Sequence, residues 1–153
     1  ERFISDENGE ETVMDIKYST EARSVGAARD GRAYLTDGTL EIEMGLAKEL
    51  GGTGEGANPE QLFALGYATC FHQAVKLVAE RRKLDATASS VQARLNFGID
   101  SEDFFALSVL IDVSLPYVEM DLAREAAVEA HEMCPYSRAT RGNIDVIVNV
   151  VEE

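Results

Sequence analysis

The sequence predicts an α+β fold in which two helices pack against a largely antiparallel sheet. Strand-like segments separated by turn signals fill the first third of the chain, and a long apolar segment with helical spacing follows. Two further strands, a second helix and a last strand complete the order. The 153 residues carry no internal repeat and no dividing linker, so we expect one domain over residues 1–153, with an acidic N-terminal arm over residues 1–12.

The first third of the chain is predicted to form an antiparallel meander. Its strand-like segments cover residues 11–22, 32–35 and 39–44. In the last of these, Leu40, Ile42 and Met44 alternate with glutamates, which predicts one apolar face. Glycines in segment 26–31 and an Asp-Gly pair before residue 39 predict turns, because glycine readily adopts the positive φ angles that hairpins need.

A strong helix start follows a glycine-rich loop over residues 51–57. Asn58 suits the cap, Pro59 the first position and Glu60 the first turn, so we predict a helix from Pro59 to about Lys83. The segment is almost free of charge in its first half, which predicts burial in the core. The loop lacks a Walker lysine, so a plain loop or a lid is favoured over a phosphate cradle. One helix face is expected to carry Phe63, Tyr67, Cys70, Ala74, Leu77 and Arg81.

The second half of the chain predicts a hairpin, a helix and a strand. Residues 91–99 and 104–115 are predicted strands, and 121–133 is a predicted helix that Pro135 limits. Small residues on one stripe of that helix allow close approach of another helix: Ala123, Ala127, Ala130 and Cys134. In the last strand, over residues 143–151, one face is expected to carry Ile144, Val146, Val148 and Val150.

Charge and composition exclude several classes of function. The net charge of −14 disfavours nucleic acid and anionic membrane surfaces, which attract basic proteins. We expect no membrane span, since no apolar stretch approaches the necessary length. The two histidines, His72 and His131, have no metal-ligand spacing, and His72 is expected to be a helix residue with a satisfied ring nitrogen. The N-terminal segment lacks the basic start and apolar core of a signal peptide. We therefore expect the protein in the reducing cytoplasm, where a disulfide is usually transient.

The two cysteines, Cys70 and Cys134, are the candidate chemical groups. A buried free cysteine is more often inert than reactive, but two thiols on helix faces can meet and hold a reversible disulfide. Only the thiolate attacks, and a position in mid-helix gains little from the helix dipole. A cation is therefore needed, and arginine suits this role because it stays charged when desolvated. A carboxylate can then hold the arginine through a bidentate pair.

Several strings in the chain resemble the organic hydroperoxide resistance (Ohr) proteins of the OsmC/Ohr superfamily. The resemblance covers about Arg29 to Val150 and implies an OsmC-like fold in an intertwined homodimer. Its motifs are residues 49–54 (ELGGTG), 58–64 (NPEQLFA), 66–71 (GYATCF) and 134–146 (CPYSRATRGNIDV).

The resemblance implies a thiol peroxidase that reduces organic hydroperoxides, including fatty-acid hydroperoxides, to alcohols. Cys70 matches the peroxidatic cysteine, Cys134 the resolving one, Glu60 the family glutamate and Arg29 the arginine that activates the thiolate. Ala28 stands where the family usually has glycine, and Arg23 and Arg32 are rivals for the role of Arg29. No bound cofactor is implied, and the reductant is a dithiol on a lipoylated partner protein.

The resemblance also implies a homodimer with two sites at the interface. Glu60 and Cys70 are ten positions apart, about 15 Å along an unbroken helix, so they share one site only if the helix breaks near Gly66 or Glu60 comes from a second chain. An apolar substrate needs an apolar pocket, for which the candidates are Phe63, Tyr67, Phe71 and Tyr136. The alternatives are a redox-sensing or ligand-binding module on this fold without turnover, and a structural dimer with inert thiols.

Overall fold

The structure is a computed structural model that describes residues 2–5 and 11–152. The chain forms two compact units, which divide between Asn58 and Pro59. The strands are β1 (Arg2–Ser5), β2 (Glu11–Met14), β3 (Ala22–Val25), β4 (Arg32–Leu35), β5 (Glu41–Glu43), β6 (Ser90–Ile99), β7 (Phe105–Ser114) and β8 (Asp145–Val151). The helices are α1 (Pro59–Arg82), α2 (Met120–Met133) and α3 (Pro135–Thr140). The α+β class predicted from the sequence is confirmed, and the single domain stays a prediction.

The first unit contains two small antiparallel sheets. Strands β1 and β2 pair with each other, and β3, β4 and β5 form a three-stranded sheet in that order. The predicted strand over residues 11–22 is wrong in extent, since β2 ends at Met14 and β3 begins at Ala22. Of the predicted acidic arm, residues 1 and 6–10 lie outside the described residues.

The meander turns follow their sequence signals. Gly38 has a φ of +79°, and the Asp37 carboxylate accepts hydrogen bonds from the Thr39 amide and hydroxyl, so the Asp-Gly turn is confirmed. The apolar face predicted for the next strand is wrong at Leu40, which is half exposed and precedes β5. In the glycine-rich loop, the amides of Gly52 and Gly54 donate to backbone carbonyls of the preceding turn. Those two amides are therefore engaged within a plain loop.

The second unit packs α1 and α2 against one three-stranded sheet. Strand β7 is central; β6 pairs with it antiparallel and β8 parallel. The core combines a stripe of α1, the small-residue stripe of α2 and the inner face of the sheet. Its wholly or almost wholly buried members are Tyr67, Phe71, Ala74, Val75, Val78, Ala79, Val109, Ile111, Val113, Leu115, Ala123, Ala126, Ala127, Ala130 and Cys134. The predicted stripe of α2 and the inward face of β8 are thus confirmed.

Helix α1 begins at Pro59 as predicted, but its buried face differs from the predicted one. Leu77 is 38% exposed and Arg81 is exposed, whereas Val75 and Val78 are buried. Tyr67 and Ala74 belong to both faces, but the buried stripe continues through Phe71, Val75 and Val78, which lie a fraction of a turn around the helix from the predicted stripe. The predicted burial of this helix in the core holds on one side only, since Leu65 on the other side is 65% exposed.

By length and composition alone, α1 would suffice to cross a membrane. An 18-residue window within it has a mean hydropathy of 1.2, and 33% of that window is buried. The expectation that no apolar stretch reaches this length is therefore corrected. A core helix of a globular domain passes the same test, and α1 packs here on β6 and α2, so a single such helix is weak evidence for a membrane span.

Candidate functional site

The structure brings the two cysteines together inside the second unit. The Cys134 Sγ lies 3.6 Å from the Cys70 Sγ and is placed to donate a hydrogen bond to it. Both are free thiols, because a disulfide requires sulfurs about 2 Å apart. Cys70 is partly exposed, whereas Cys134 has no exposed surface. One thiol of the pair is thus accessible to a reagent, and the other is accessible only to its neighbour.

The position of Cys134 follows from the proline after it. Proline disfavours helical backbone in the residue before it, and Cys134 is extended, with φ −60° and ψ 124°. Its N–H still donates to the Ala130 carbonyl at 2.8 Å, which ends α2. Pro135 then occupies the first position of α3, where its missing N–H costs nothing. Cys134 is therefore a single extended residue between two helices.

Helix α3 was not anticipated from the sequence. Pro135 was expected only to stop α2, but it also starts a six-residue helix that ends at Thr140. The Cys134 carbonyl accepts from the Arg138 amide at 2.9 Å, and the Ser137 carbonyl accepts from the Arg141 amide at 3.0 Å. This short helix carries Tyr136 back over the cysteine pair.

The surroundings of Cys70 disfavour its thiolate. Burial raises the pKa of the Cys70 thiol above its ordinary value, and the adjoining Cys134 raises it further. A hydrogen bond from the Tyr136 backbone amide acts in the opposite direction. Burial is the largest of these effects. Reaction of Cys70 at neutral pH therefore calls for an additional positive group.

Three aromatic rings stand beside the cysteines. Tyr136 lies 6.1 Å from Phe63 and 5.7 Å from Tyr67, measured between ring centroids, and Phe63 meets Tyr67 edge-on at 6.0 Å. Phe63 and Tyr136 line an apolar cavity of about 390 Å³. The remaining walls come from Leu107, Ala139, Thr140, Asn143 and Ile144.

The two other predicted pocket residues occupy the core. Tyr67 and Phe71 have no exposed surface, and the ring of Phe71 lies 6.2 Å from that of His131. Neither lines the 390 Å³ cavity, so their contact with a substrate stays a prediction.

Glu60 lies in the first turn of α1 and is partly buried. Helix α1 continues without interruption through Gly66, so the helix break that would have brought Glu60 to Cys70 within one chain is excluded. Gly66 instead leaves room for Tyr136, since a Cβ built on it would stand 3.0 Å from the Tyr136 Oη. Ten residues of helix, about 15 Å, therefore separate Glu60 from Cys70 along the axis.

Arg29 belongs to the first unit, on a short 3-10 turn. The turn spans Ala28–Asp30, and Ala28 has a φ of +54°, a conformation that glycine adopts more readily than alanine. Of its rivals, Arg32 bonds the Glu41 carboxylate at 2.9 Å on the neighbouring strand, and Arg23 is exposed on β3. Arg29, itself partly buried, remains the predicted activating cation.

A group of polar side chains next to the cysteines was not anticipated from spacing. The Ser137 Oγ, wholly buried, lies 2.9 Å from the Tyr67 Oη and 2.8 Å from the His131 Nδ1. The Tyr67 Oη also lies 3.2 Å from the Thr140 Oγ1. Only the motif string that contains Ser137 and Thr140 hinted at them, because serine and threonine spacing on a six-residue helix carries no periodic signal.

His72 has the satisfied ring nitrogen expected of it. Its Nε2 lies 2.9 Å from the Ser89 Oγ, whose hydroxyl donates to the Ala86 carbonyl at 2.7 Å. Within the described residues, no cluster of three or more histidine, cysteine or acidic side chains suits a metal ion. A cavity of about 1080 Å³ forms an open groove between α2 and β8 that reaches His131 but neither cysteine. The thiol pair and its aromatic neighbours are therefore the candidate site.

Known proteins share this arrangement of elements. A family model described as OsmC-like protein matches residues 52–149. The organic hydroperoxide resistance protein of Xanthomonas axonopodis pv. citri is 38% identical over 137 residues, which cover 88% of this chain and 95% of that protein. The organic hydroperoxide resistance protein-like 2 of Staphylococcus epidermidis is 38% identical over 138 residues, covering 89% and 96%.

Solved structures agree with these matches. The crystal structure of an organic hydroperoxide resistance protein from Elizabethkingia anophelis is similar with a TM-score of 0.86 and 37% identity, covering 92% of this chain and all of that one. The OsmC-like fold expected from the sequence is thereby confirmed. The chain belongs to the OsmC-like family, and within it to the organic hydroperoxide resistance proteins.

Proposed function

We propose that this protein is a thiol peroxidase that detoxifies organic hydroperoxides. The observation that carries the proposal is the thiol pair at 3.6 Å, with a reachable Cys70 and a buried Cys134. The names of relatives at 38% identity over most of the chain point to a role in resistance to organic hydroperoxides. Together they favour peroxide chemistry at Cys70 over a structural role for two inert thiols.

The proposed cycle uses both sulfurs. The Cys70 thiolate attacks one oxygen of the O–O bond; that bond breaks, the leaving alkoxide takes a proton to become an alcohol, and Cys70 becomes a sulfenic acid. The Cys134 thiol then attacks the Cys70 sulfur. Its proton leaves with the sulfenic hydroxyl as water, and a Cys70–Cys134 disulfide remains. Two electrons have passed from the two thiols to the peroxide.

Activation of Cys70 is assigned to a second copy of this chain. Burial raises the pKa of Cys70, and Glu60 lies about 15 Å from it along one unbroken helix. In a homodimer, Glu60 and Arg29 of one chain can reach the Cys70 thiolate of the other chain. Glu60 would hold Arg29 close to that thiolate. Arginine beside the sulfur favours its ionised form and lowers the pKa. The exposed apolar side of α1, around Leu65, supports burial by a partner.

The substrate is proposed to be apolar. The cavity between Phe63 and Tyr136 has a mainly apolar lining, part of which comes from α3, the helix that follows Cys134. A hydrocarbon chain, including that of a fatty-acid hydroperoxide, would place its apolar end there and its peroxide group at Cys70. Tyr67 and Phe71 would support this wall from behind.

The disulfide is proposed to be returned to the dithiol by a lipoylated partner protein. No cofactor need be bound, because the lipoyl dithiol supplies both electrons by thiol–disulfide exchange. Such a cycle belongs in a reducing compartment, which supports a cytoplasmic location.

The test is turnover of cumene hydroperoxide with dihydrolipoamide as the reductant. We expect the wild-type protein to consume both, and Cys70→Ser to abolish consumption. Cys134→Ser should still consume one equivalent of hydroperoxide to form Cys70 sulfenic acid, which further hydroperoxide then over-oxidises. Oxidation of wild-type Cys70 without multiple turnovers would instead indicate a redox sensor. Full turnover by Cys70→Ser would contradict the proposed chemistry altogether.

A further inference from the structure

One buried hydroxyl joins the three helices around the thiol pair. Ser137 on α3 contacts Tyr67 on α1 at 2.9 Å and His131 on α2 at 2.8 Å. Cys70 follows Tyr67 by three residues, and Cys134 lies three residues after His131 and three before Ser137. Each sulfur therefore belongs to a helix segment that this hydroxyl holds.

The hydrogen bonds of this cluster depend on one another. A serine hydroxyl has one proton, so Ser137 donates to one of its two neighbours and accepts from the other. Tyr67 donating to Ser137, and Ser137 donating to an unprotonated His131 Nδ1, satisfies all three groups. The Thr140 hydroxyl donates to the Tyr136 carbonyl at 2.9 Å, and its oxygen lies 3.2 Å from the Tyr67 Oη, whose single proton goes to Ser137 in this arrangement. A buried hydroxyl without a partner is costly, so the cluster resists separation of the helices.

The hydrogen-bonded cluster around Ser137 affects the position of the Cys134 sulfur. Cys134 is extended; its N–H donates to the Ala130 carbonyl of α2, and its carbonyl accepts from the Arg138 amide of α3. The distance from its sulfur to Cys70 on α1 thus follows from how α2 and α3 are held against α1. Ser137 is the side chain on α3 with hydrogen bonds to both of the other helices.

We propose that Ser137, together with Tyr67 and His131, is a positioning residue for the disulfide step: it holds Cys134 within reach of Cys70. The biological meaning of this inference rests on the proposed peroxidase function. The positioning role itself does not rest on that function, because the ease of forming the Cys70–Cys134 disulfide can be measured without any hydroperoxide.

The first experiment equilibrates the protein with mixtures of oxidised and reduced dithiothreitol. The two cysteines give two electrons and two protons to oxidised dithiothreitol when their disulfide forms, so the equilibrium constant reports how well they are positioned. For Ser137→Ala we expect about a tenfold shift towards the dithiol, the size of one net hydrogen bond. The matched control is Ser114→Ala, since the Ser114 Oγ is equally buried but has no hydrogen-bond partner among the described residues. It should shift the equilibrium little or not at all.

Two variants of His131 separate a positioning role from general packing. His131→Asn places an amide where the Nδ1 lies and should stay close to wild type, whereas His131→Leu should shift the equilibrium as Ser137→Ala does. Tyr67→Phe keeps the ring and should give a smaller shift in the same direction. If Ser137→Ala does not fold, the His131 and Tyr67 variants test the proposal in its place. Equal shifts for Ser137→Ala and Ser114→Ala, or for His131→Asn and His131→Leu, would overturn the proposal.

A second experiment follows a single turnover with cumene hydroperoxide. Ser137→Ala should form Cys70 sulfenic acid, captured with dimedone, at the wild-type rate, but convert it to disulfide about ten times more slowly. Over-oxidised Cys70 should rise accordingly. A wild-type protein that reduces no hydroperoxide would remove the proposed function while the dithiothreitol equilibrium still decides on positioning. An unchanged rate of disulfide formation in Ser137→Ala would count against the positioning role.

Discussion

At the scale of single residues, the proline after Cys134 does more than end a helix. It makes Cys134 extended and starts α3, so one residue type sets both the direction of the sulfur and the path of Tyr136. The sequence identified Cys70 and Cys134 through the motif strings around them. It did not identify His131 and Ser137, because their contact depends on the unforeseen turn between α2 and α3.

Replacing Pro135 should weaken the disulfide. In Pro135→Ala the residue before it is no longer biased away from helix, so α2 can extend and turn the Cys134 sulfur from Cys70. We expect a shift of several-fold towards the dithiol in equilibrium with dithiothreitol. Pro116→Ala, in the turn between β7 and α2, is the matched control and should behave as wild type. An unchanged equilibrium in Pro135→Ala would show that tertiary packing alone sets the turn.

The two histidines should make the protein less stable in mild acid. Burial lowers the pKa of His131, Arg141 lowers it further and Glu132 opposes this; burial and then Lys76 lower the pKa of His72. The unfolded state therefore binds more protons as pH falls through the ordinary value of about 6.5. The stabilisation is present above that value and is lost as pH drops towards the folded-state pKa values.

Urea unfolding measured from about pH 8 down to about pH 5.5 checks this sign. The free energy of unfolding should decrease over that interval. The double variant His72→Asn with His131→Asn should show a shallower decrease. A slope that is the same in both proteins would mean that carboxylates, not these histidines, govern the acid sensitivity.

At the scale of elements, long periodic segments were predictable and short ones were not. The bounds of α1 and α2 were predicted to within one residue, because a cap, a proline or a stripe of alanines marks them. Helix α3 escaped prediction because six residues hold too few turns for a period to register. The parallel pairing of β7 with β8 also escaped it, since pairing partners distant in sequence leave no local signal.

The turn from α3 into β8 should depend on Gly142. This residue has a φ of +76°, and a Cβ there would meet no atom within 4 Å, so only backbone strain opposes substitution. Gly142→Ala should destabilise the protein by about 1–2 kcal/mol, measured by urea unfolding. Gly98→Ala tests the same added methyl in equally open space on β6, without a positive φ, and should be neutral or slightly stabilising. Equal effects of the two substitutions would exclude strain as the cause.

At the scale of the whole molecule, the chain has apolar surface that a monomer does not explain. Leu65 on α1 is 65% exposed although the sequence predicted burial of this helix in the core. The prediction holds for the side of α1 that the sheet and α2 cover. A single chain covers only about half of this apolar helix. A partner chain would cover the rest, in line with the proposed dimer.

A charge on this face should weaken association and activity together. We expect wild-type protein to sediment as a dimer at low micromolar concentration, and Leu65→Glu to shift it towards monomer with a parallel loss of hydroperoxide turnover, because a buried unpaired carboxylate is costly. Tyr117→Glu alters a side chain that is 67% exposed in the turn before α2 and should leave the dimer intact. A wild-type monomer with full activity would rule out the assignment of Arg29 and Glu60 to a partner chain.

The central claim is that Cys70 attacks the peroxide and Cys134 resolves it within the same chain. The most direct measurement is mass spectrometry of the reduced protein after one equivalent of cumene hydroperoxide. The account predicts a product that has lost two hydrogen atoms and yields a peptide linking Cys70 to Cys134 of one chain. A product that has gained oxygen on Cys70 while Cys134 stays a free thiol, or a link between two chains, would contradict it.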